Sequence, residues 1–107
     1  MTGTDQALVE LIKSAGEATG EPVRQLPIGA NCRAELDSDV ADLKNLGGMN
    51  AGASTAPEFI AHFAKEVPWV HIDITGVAAT ANPREWKFRG MSGFGARLLV
   101  DTLERFA

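Results

Sequence analysis

Trp69-Val70-His71-Ile72-Asp73-Ile74-Thr75-Gly76 is the stretch on which the fold turns. As extended backbone it sets Val70, Ile72 and Ile74 on one face and His71, Asp73 and Thr75 on the other, because successive strand side chains point to opposite sides. A strand is therefore expected from Trp69 to Thr75. Just upstream, Thr55 and Glu58 form a capping-box pattern and Phe59, Ile60 and Phe63 share a helical face, so a helix is expected that stops at Pro68. Before it, Ser38 to Leu46 carries Val40, Ala41, Leu43 and Leu46 without a clean period and closes at Gly47-Gly48, which reads as a further strand. Strand, helix and strand make a βαβ unit, ordinarily two parallel strands joined by a right-handed crossover. The expected class is α/β: a partial three-layer αβα arrangement with a βαβ unit of parallel strands flanked by helices.

The flanks supply those helices. Leu8, Leu11, Ile12 and Ala15 recur at helical spacing, with Thr4 or Asp5 to cap the start and Gly20 to end the segment. The last helix is expected from Ser92 or Gly93, with Phe94, Leu98, Leu99, Leu103 and Phe106 inward and Arg97, Asp101 and Arg105 paired outside. Pro22, Pro27 and Gly29 make the connection after the first helix irregular, and a short helix fits Asn31 to Leu36. Every aromatic residue lies at or after Phe59, so the better-filled half of the core is expected to be C-terminal. Two parallel strands alone leave sheet edges open, which makes the chain look like part of something larger.

Length and composition bound the function. The 107 residues, 45% hydrophobic, fit one domain over 1–107. A net charge of -4 disfavours nucleic acid, whose phosphates require clustered Lys and Arg. No apolar stretch approaches a membrane span and Met1 to Gln6 lacks the pattern of a secretory leader, so neither membrane nor secretion is expected. Cys32 is the single cysteine, which excludes an intrachain disulfide and fits a reducing, cytoplasmic setting.

Candidate chemistry is sparse. His71 and Asp73 could donate to a metal, but a workable site needs a third protein ligand, and none has compelling spacing; hydrogen bonding to neighbouring loops is the simpler role. Asp37, Asp39 and Asp42 could meet a hard cation, although solvated carboxylates at a strand end explain them. Gly90-Met91-Ser92-Gly93-Phe94-Gly95 opens a helix whose free N–H groups could hold an anion, against the simpler reading of a turn capped by Ser92. Arg84, Lys87 and Arg89 interleave with Trp86 and Phe88, which reads more readily as a solvated or partner-facing loop than as a grip on single-stranded nucleic acid. Cys32, Ser54 and Thr55 have no histidine placed beside them by sequence, His62 and His71 being the only two.

Five motifs in order carry a family likeness: Ser38-Asp39-Val40-Ala41-Asp42-Leu43-Lys44-Asn45, Gly47-Gly48, Ala51-Gly52-Ala53-Ser54-Thr55-Ala56, Pro68 through Gly76, and Gly90 through Arg97. Their spacing resembles the C-terminal end of the leucyl, or cytosol, aminopeptidases, and Ala15 to Glu21 followed by Leu26-Pro27 agrees. The resemblance implies hexameric exopeptidases that remove N-terminal residues, leucine and similar apolar ones by preference, with two divalent ions, zinc or manganese, that polarise the carbonyl and activate water. It places the metal ligands and the catalytic Lys and Arg upstream, in part on an Asn-Thr-Asp-Ala-Glu-Gly-Arg run that this sequence lacks. No catalytic residue, metal ligand or cofactor is therefore assigned to this chain, and His71 and Asp73 become structural supports.

By the same resemblance, Thr75-Gly76-Val77-Ala78 matches a wall of the pocket for the substrate's N-terminal side chain. Thr75 and Ala78 are the positions carried over. Thr75 stands where alanine is common and Ala78 where a larger residue is, which alters the pocket's shape. Pro57 replaces a residue compatible with continuous helix, a change tolerated in a first turn. The expected function is that of a C-terminal fragment or truncated relative, inactive alone; the alternative is a non-catalytic assembly or protein-binding module. The expected partners are peptide N-termini in the full-length family and further copies of the chain, in the cytoplasm.

Overall fold

In a computed structural model, residues 1–27, 32–48, 52–80 and 89–107 are described. They build helices and two short antiparallel ladders: β1 (Thr2–Gly3), α1 (Gln6–Thr19), a 3-10 turn (Ala34–Leu36), α2 (Gly52–Ala64), β2 (Val70–His71), β3 (Ala79–Thr80), β4 (Gly90–Met91) and α3 (Ala96–Phe106). The chain divides into two compact units, Met1–Val9 with Gln25–His71, and Glu10–Arg24 with Ile72–Ala107. Among the described residues, no helix is long and apolar enough to cross a membrane.

In the first unit, β1 pairs antiparallel with β2, Thr2 opposite His71 and Gly3 opposite Val70. The start of the chain is tied on both sides: Thr4 N–H donates to the Trp69 carbonyl (3.1 Å), and Leu26 N–H to that of Met1 (2.8 Å). Met1, Val9, Cys32, Leu36 and Trp69 are the buried apolar side chains here. Asp5 caps α1 by accepting the Leu8 N–H at 2.8 Å, as its position before the apolar run led one to expect.

Several expectations for this unit need correction. Residues 38–46 form bends, not a strand, and Val40 is 96% exposed. The cause is local: the Ser38 hydroxyl accepts the N–H groups of Val40 (3.3 Å) and Ala41 (3.2 Å), which turns the backbone away from a ladder. Without that strand no parallel βαβ unit forms among the described residues, and β2 pairs antiparallel with β1. α2 starts at Gly52, so Thr55 is buried inside it rather than capping it, and Pro57 falls beyond the first turn. Among the described residues Trp69 is the one buried aromatic and most of the buried apolar side chains precede Phe59, against the expected C-terminal weighting; Phe59 and Phe63 meet edge-on, with Phe63 exposed. Residues 81–88, with Arg84, Trp86, Lys87 and Phe88, lie outside the described residues.

In the second unit α1 ends as a Schellman motif. Gly20 adopts φ 72°, in the left-handed region; its N–H reaches Glu17 O (3.5 Å) and the Glu21 N–H reaches Gly16 O (2.8 Å). Ile12, Ala15, Val23 and Leu98 are buried apolar side chains of this unit. α3 begins at Ala96, later than Ser92 or Gly93, because Gly93 and Gly95 take φ of 67° and 98° and delay the helix. The expected inward set is also reduced: Leu98 and Thr102 are buried on α3, whereas Leu99, Leu103 and Phe106 are exposed.

Gly16 is the tightest point of this unit. A Cβ there would stand 2.7 Å from Glu21 O and 3.1 Å from a Leu98 methyl. Gly16→Ala is expected to lower stability by roughly 1–2 kcal/mol, the overpacking exceeding alanine's helix advantage. Thermal unfolding checks this: a Tm at or above that of the unsubstituted chain would refute it.

Candidate functional site

The second unit's polar centre is Glu21, a residue the sequence reading did not single out. The Schellman turn pins its backbone, and its side chain, 5% exposed, reaches the start of α3. There Oε2 accepts the Leu98 N–H (2.9 Å) and the Gly95 N–H (3.1 Å), while Oε1 accepts Arg97 Nε–H (3.2 Å). The opening turn of a helix has N–H groups without intrahelical partners and a partial positive charge, so a carboxylate is the group it favours. The anion considered for the Gly90–Gly95 helix start is thus the chain's own Glu21.

Burial alone would raise the Glu21 pKa. The Leu98 N–H, the Arg97 guanidinium and the Gly95 N–H outweigh that cost and hold the carboxyl below its ordinary 4.5.

A cleft of about 180 Å³ opens beside this cluster, lined by Gly20, Glu21, Pro22, Val77, Ser92, Phe94 and Arg97. Ser92 ties its walls together. The Ser92 hydroxyl donates to Val77 O and accepts the Phe94 N–H (3.1 Å), and the Ser92 N–H donates to Ala78 O (2.9 Å). The same strip of chain pairs β3 with β4 antiparallel, Ala79 opposite Met91 and Thr80 opposite Gly90. With both sides of its hydroxyl engaged, Ser92 serves as a brace, and no histidine lines the cleft to activate it as a nucleophile.

Thr75 and Ala78 sit on the turn that Ser92 braces. Asp73 Oδ1 accepts the Thr75 N–H (2.9 Å), and Ile74 O accepts the N–H groups of Val77 (2.9 Å) and Ala78 (2.8 Å). Thr75 is exposed and Ala78 half-buried, and Val77 is the residue of this turn that lines the cleft. Asp73 therefore shapes a turn, while His71 belongs to the ladder of the first unit. Asp39 and Asp42 are exposed on the bends of 38–46, as is Asp37 before them. Cys32 is buried, and His62 meets Phe63 edge-on at 5.0 Å. Among the described residues, no three His, Cys, Asp or Glu side chains come together in a group that could hold a metal ion.

Residues 1–100 match the model of the cytosol aminopeptidase family, catalytic domain. The chain is 45% identical over 102 residues to a probable cytosol aminopeptidase of Geobacter sulfurreducens, covering 95% of this chain and 21% of the relative. Identity is 43% over 99 residues to one of Methylobacterium radiotolerans, covering 92% and 20%. Among solved structures, the bottromycin maturation enzyme BotP in complex with Mn matches with a TM-score of 0.90 at 33% identity, over 98% of this chain and 24% of that one. The chain spans about a fifth of the length of the curated relatives it matches.

Glu21→Gln removes the anion while keeping the shape, and is expected to cost about 1–3 kcal/mol by weakening three hydrogen bonds in a buried place. The pH dependence has a definite sign. A carboxyl held below 4.5 when folded contributes stability that is fully present above its unfolded value and is lost as pH falls through the folded value. Urea unfolding at pH 7 and at pH 3 checks this: the gap between the unsubstituted chain and Glu21→Gln should narrow in acid, and an equal gap at both would refute it.

Proposed function

We propose that this chain, which belongs to the cytosol aminopeptidase family, supplies the C-terminal part of that family's catalytic domain and does not cleave peptides by itself. The observation that carries this reading is the family match over residues 1–100, set against relatives of which the chain covers about a fifth. The family resemblance implies two divalent ions, zinc or manganese. The donor set of this chain does not fit them: the Asn-Thr-Asp-Ala-Glu-Gly-Arg run is missing from the sequence, and no three-donor group forms among the described residues. No hydrolytic step is therefore assigned to residues of this chain.

What it contributes is shape. Thr75 and Ala78 form part of the wall against which the N-terminal side chain of a peptide rests in the complete enzyme. The turn that carries them is suited to this, because Asp73 and Ser92 hold its backbone with side-chain hydrogen bonds. Residues 1–107 act together as one portion of a larger three-layer αβα domain, whose remaining strands would extend the short ladders seen here. The location is the cytoplasm, in keeping with relatives named as cytosol enzymes. A second reading, an assembly or protein-binding module, is favoured by one observation, the exposed apolar side chains of α3.

The purified chain, supplied with zinc or manganese, is expected to give no hydrolysis of leucine amide above a metal-only blank. Robust turnover by the 107-residue chain alone would overturn the reading.

A further inference from the structure

Between the start of α3 and the turn bearing Thr75 and Ala78, the backbone has little stiffness of its own. Gly93 and Gly95 flank Phe94 at φ of 67° and 98°, and glycine moves among such conformations at little cost. Hydrogen bonds therefore fix where this segment lies. At one end Glu21 Oε2 accepts the N–H of the buried Gly95 at 3.1 Å. At the other, the Ser92 hydroxyl accepts the Phe94 N–H (3.1 Å) and donates to Val77 O, while the Ser92 N–H donates to Ala78 O (2.9 Å). Glu21, Phe94, Ser92 and Val77 line a common cleft, where open space stands in place of packed side chains.

We infer that Glu21 is a positioning residue for the wall formed by Thr75 and Ala78: through Gly95 and Ser92 it sets the backbone on which those side chains stand. The inference rests on the reading under Proposed function that this wall meets a substrate, and adds the residue that governs its shape. A carboxylate only 5% exposed has little solvent to turn to, so the Gly95 N–H, the Leu98 N–H and the Arg97 guanidinium are held in one arrangement. Glu21 is itself placed by the Gly20 turn, whose bonds join near neighbours in sequence. Order thus passes from α1 to α3 and on to the turn, and a loss at Glu21 is felt at Ala78. A wall without fixed geometry discriminates less between side chains of different size, so Glu21 governs substrate preference without touching substrate.

Amide hydrogen exchange of the 107-residue chain, followed by NMR, tests this relay. In Glu21→Gln the Ser92 and Ala78 amides should exchange at least about tenfold faster relative to the Lys13 amide within α1, a ratio that removes any uniform loss of stability. In Ser92→Ala the Val77 and Ala78 amides should speed up while the Leu98 amide, bound to Glu21, keeps its ratio to Lys13. Ser92→Thr retains the hydroxyl and should restore the slow rates. Equal acceleration at all these amides in Glu21→Gln, or none at Ala78, would overturn the inference, as would Ser92→Thr behaving like Ser92→Ala.

Substrate preference is read in the Geobacter sulfurreducens relative carrying this chain in place of the stretch it matches. Glu21→Gln in that hybrid should lower the ratio of kcat/KM for leucine amide to that for alanine amide at least about threefold. Ala78→Leu tests the wall directly. If Ala78→Leu shifts the ratio and Glu21→Gln leaves it unmoved, the inference falls alone. If neither moves it, or the hybrid is inactive, the reading under Proposed function falls and the inference with it.

Discussion

The seating of the Glu21 carboxylate on the first turn of α3 is the interaction around which the second unit is organised. Three donors from α3 and the residue before it converge on two oxygens, so the helix start has its anion and the anion has its partners. Neither half is stable alone in a buried place: N–H groups without acceptors and a carboxylate without donors each cost more than a typical hydrogen bond returns. The geometry follows from a chain of local constraints. Gly20 ends α1 in a left-handed conformation, the Schellman turn then directs Glu21, and the absence of a side chain at Gly16 leaves room for both the Glu21 backbone and Leu98. From α3 the order passes back through Phe94 and Ser92 to the turn bearing Thr75 and Ala78.

Local signals were legible in the sequence, and long-range ones were not. The cap at Asp5, the stop at Gly20 and the turn by Ser92 depend on neighbours a few residues away, and all are found. The strand expected over 38–46 failed although the information was local, because a serine followed by aspartates favours side-chain bonds to the backbone over a ladder. β1 was missed for a different reason: Thr2 and Gly3 carry no periodic pattern, and their pairing with His71 and Val70 joins the start of the sequence to a strand far along it. Glu21 was missed likewise. A glutamate after a helix-ending glycine looks solvated until the distant residues Gly95 to Leu98 are placed beside it. The family, by contrast, was readable, because its motifs are strings of neighbours in fixed order.

The exposed stripe of α3 and the brevity of both ladders express one deficit. Two-stranded ladders of this size are marginal without further strands or an apolar layer against them. A helix that buries Leu98 and Thr102 while leaving Leu99, Leu103 and Phe106 in water has gained only part of the free energy its composition makes available. The pattern expected from sequence, with all of these leucines inward, suits a helix covered on two sides. The structure holds cover for one.

Cys32 gives the first unit an unusual property. It is the sole sulfhydryl of the chain, and it lies buried. Alkylating reagents therefore reach it mainly when that unit opens, so the rate of its labelling is a clock for local unfolding. A single-site reporter of this kind is inherent in the chain, with no dye and no added residue to perturb the packing it watches.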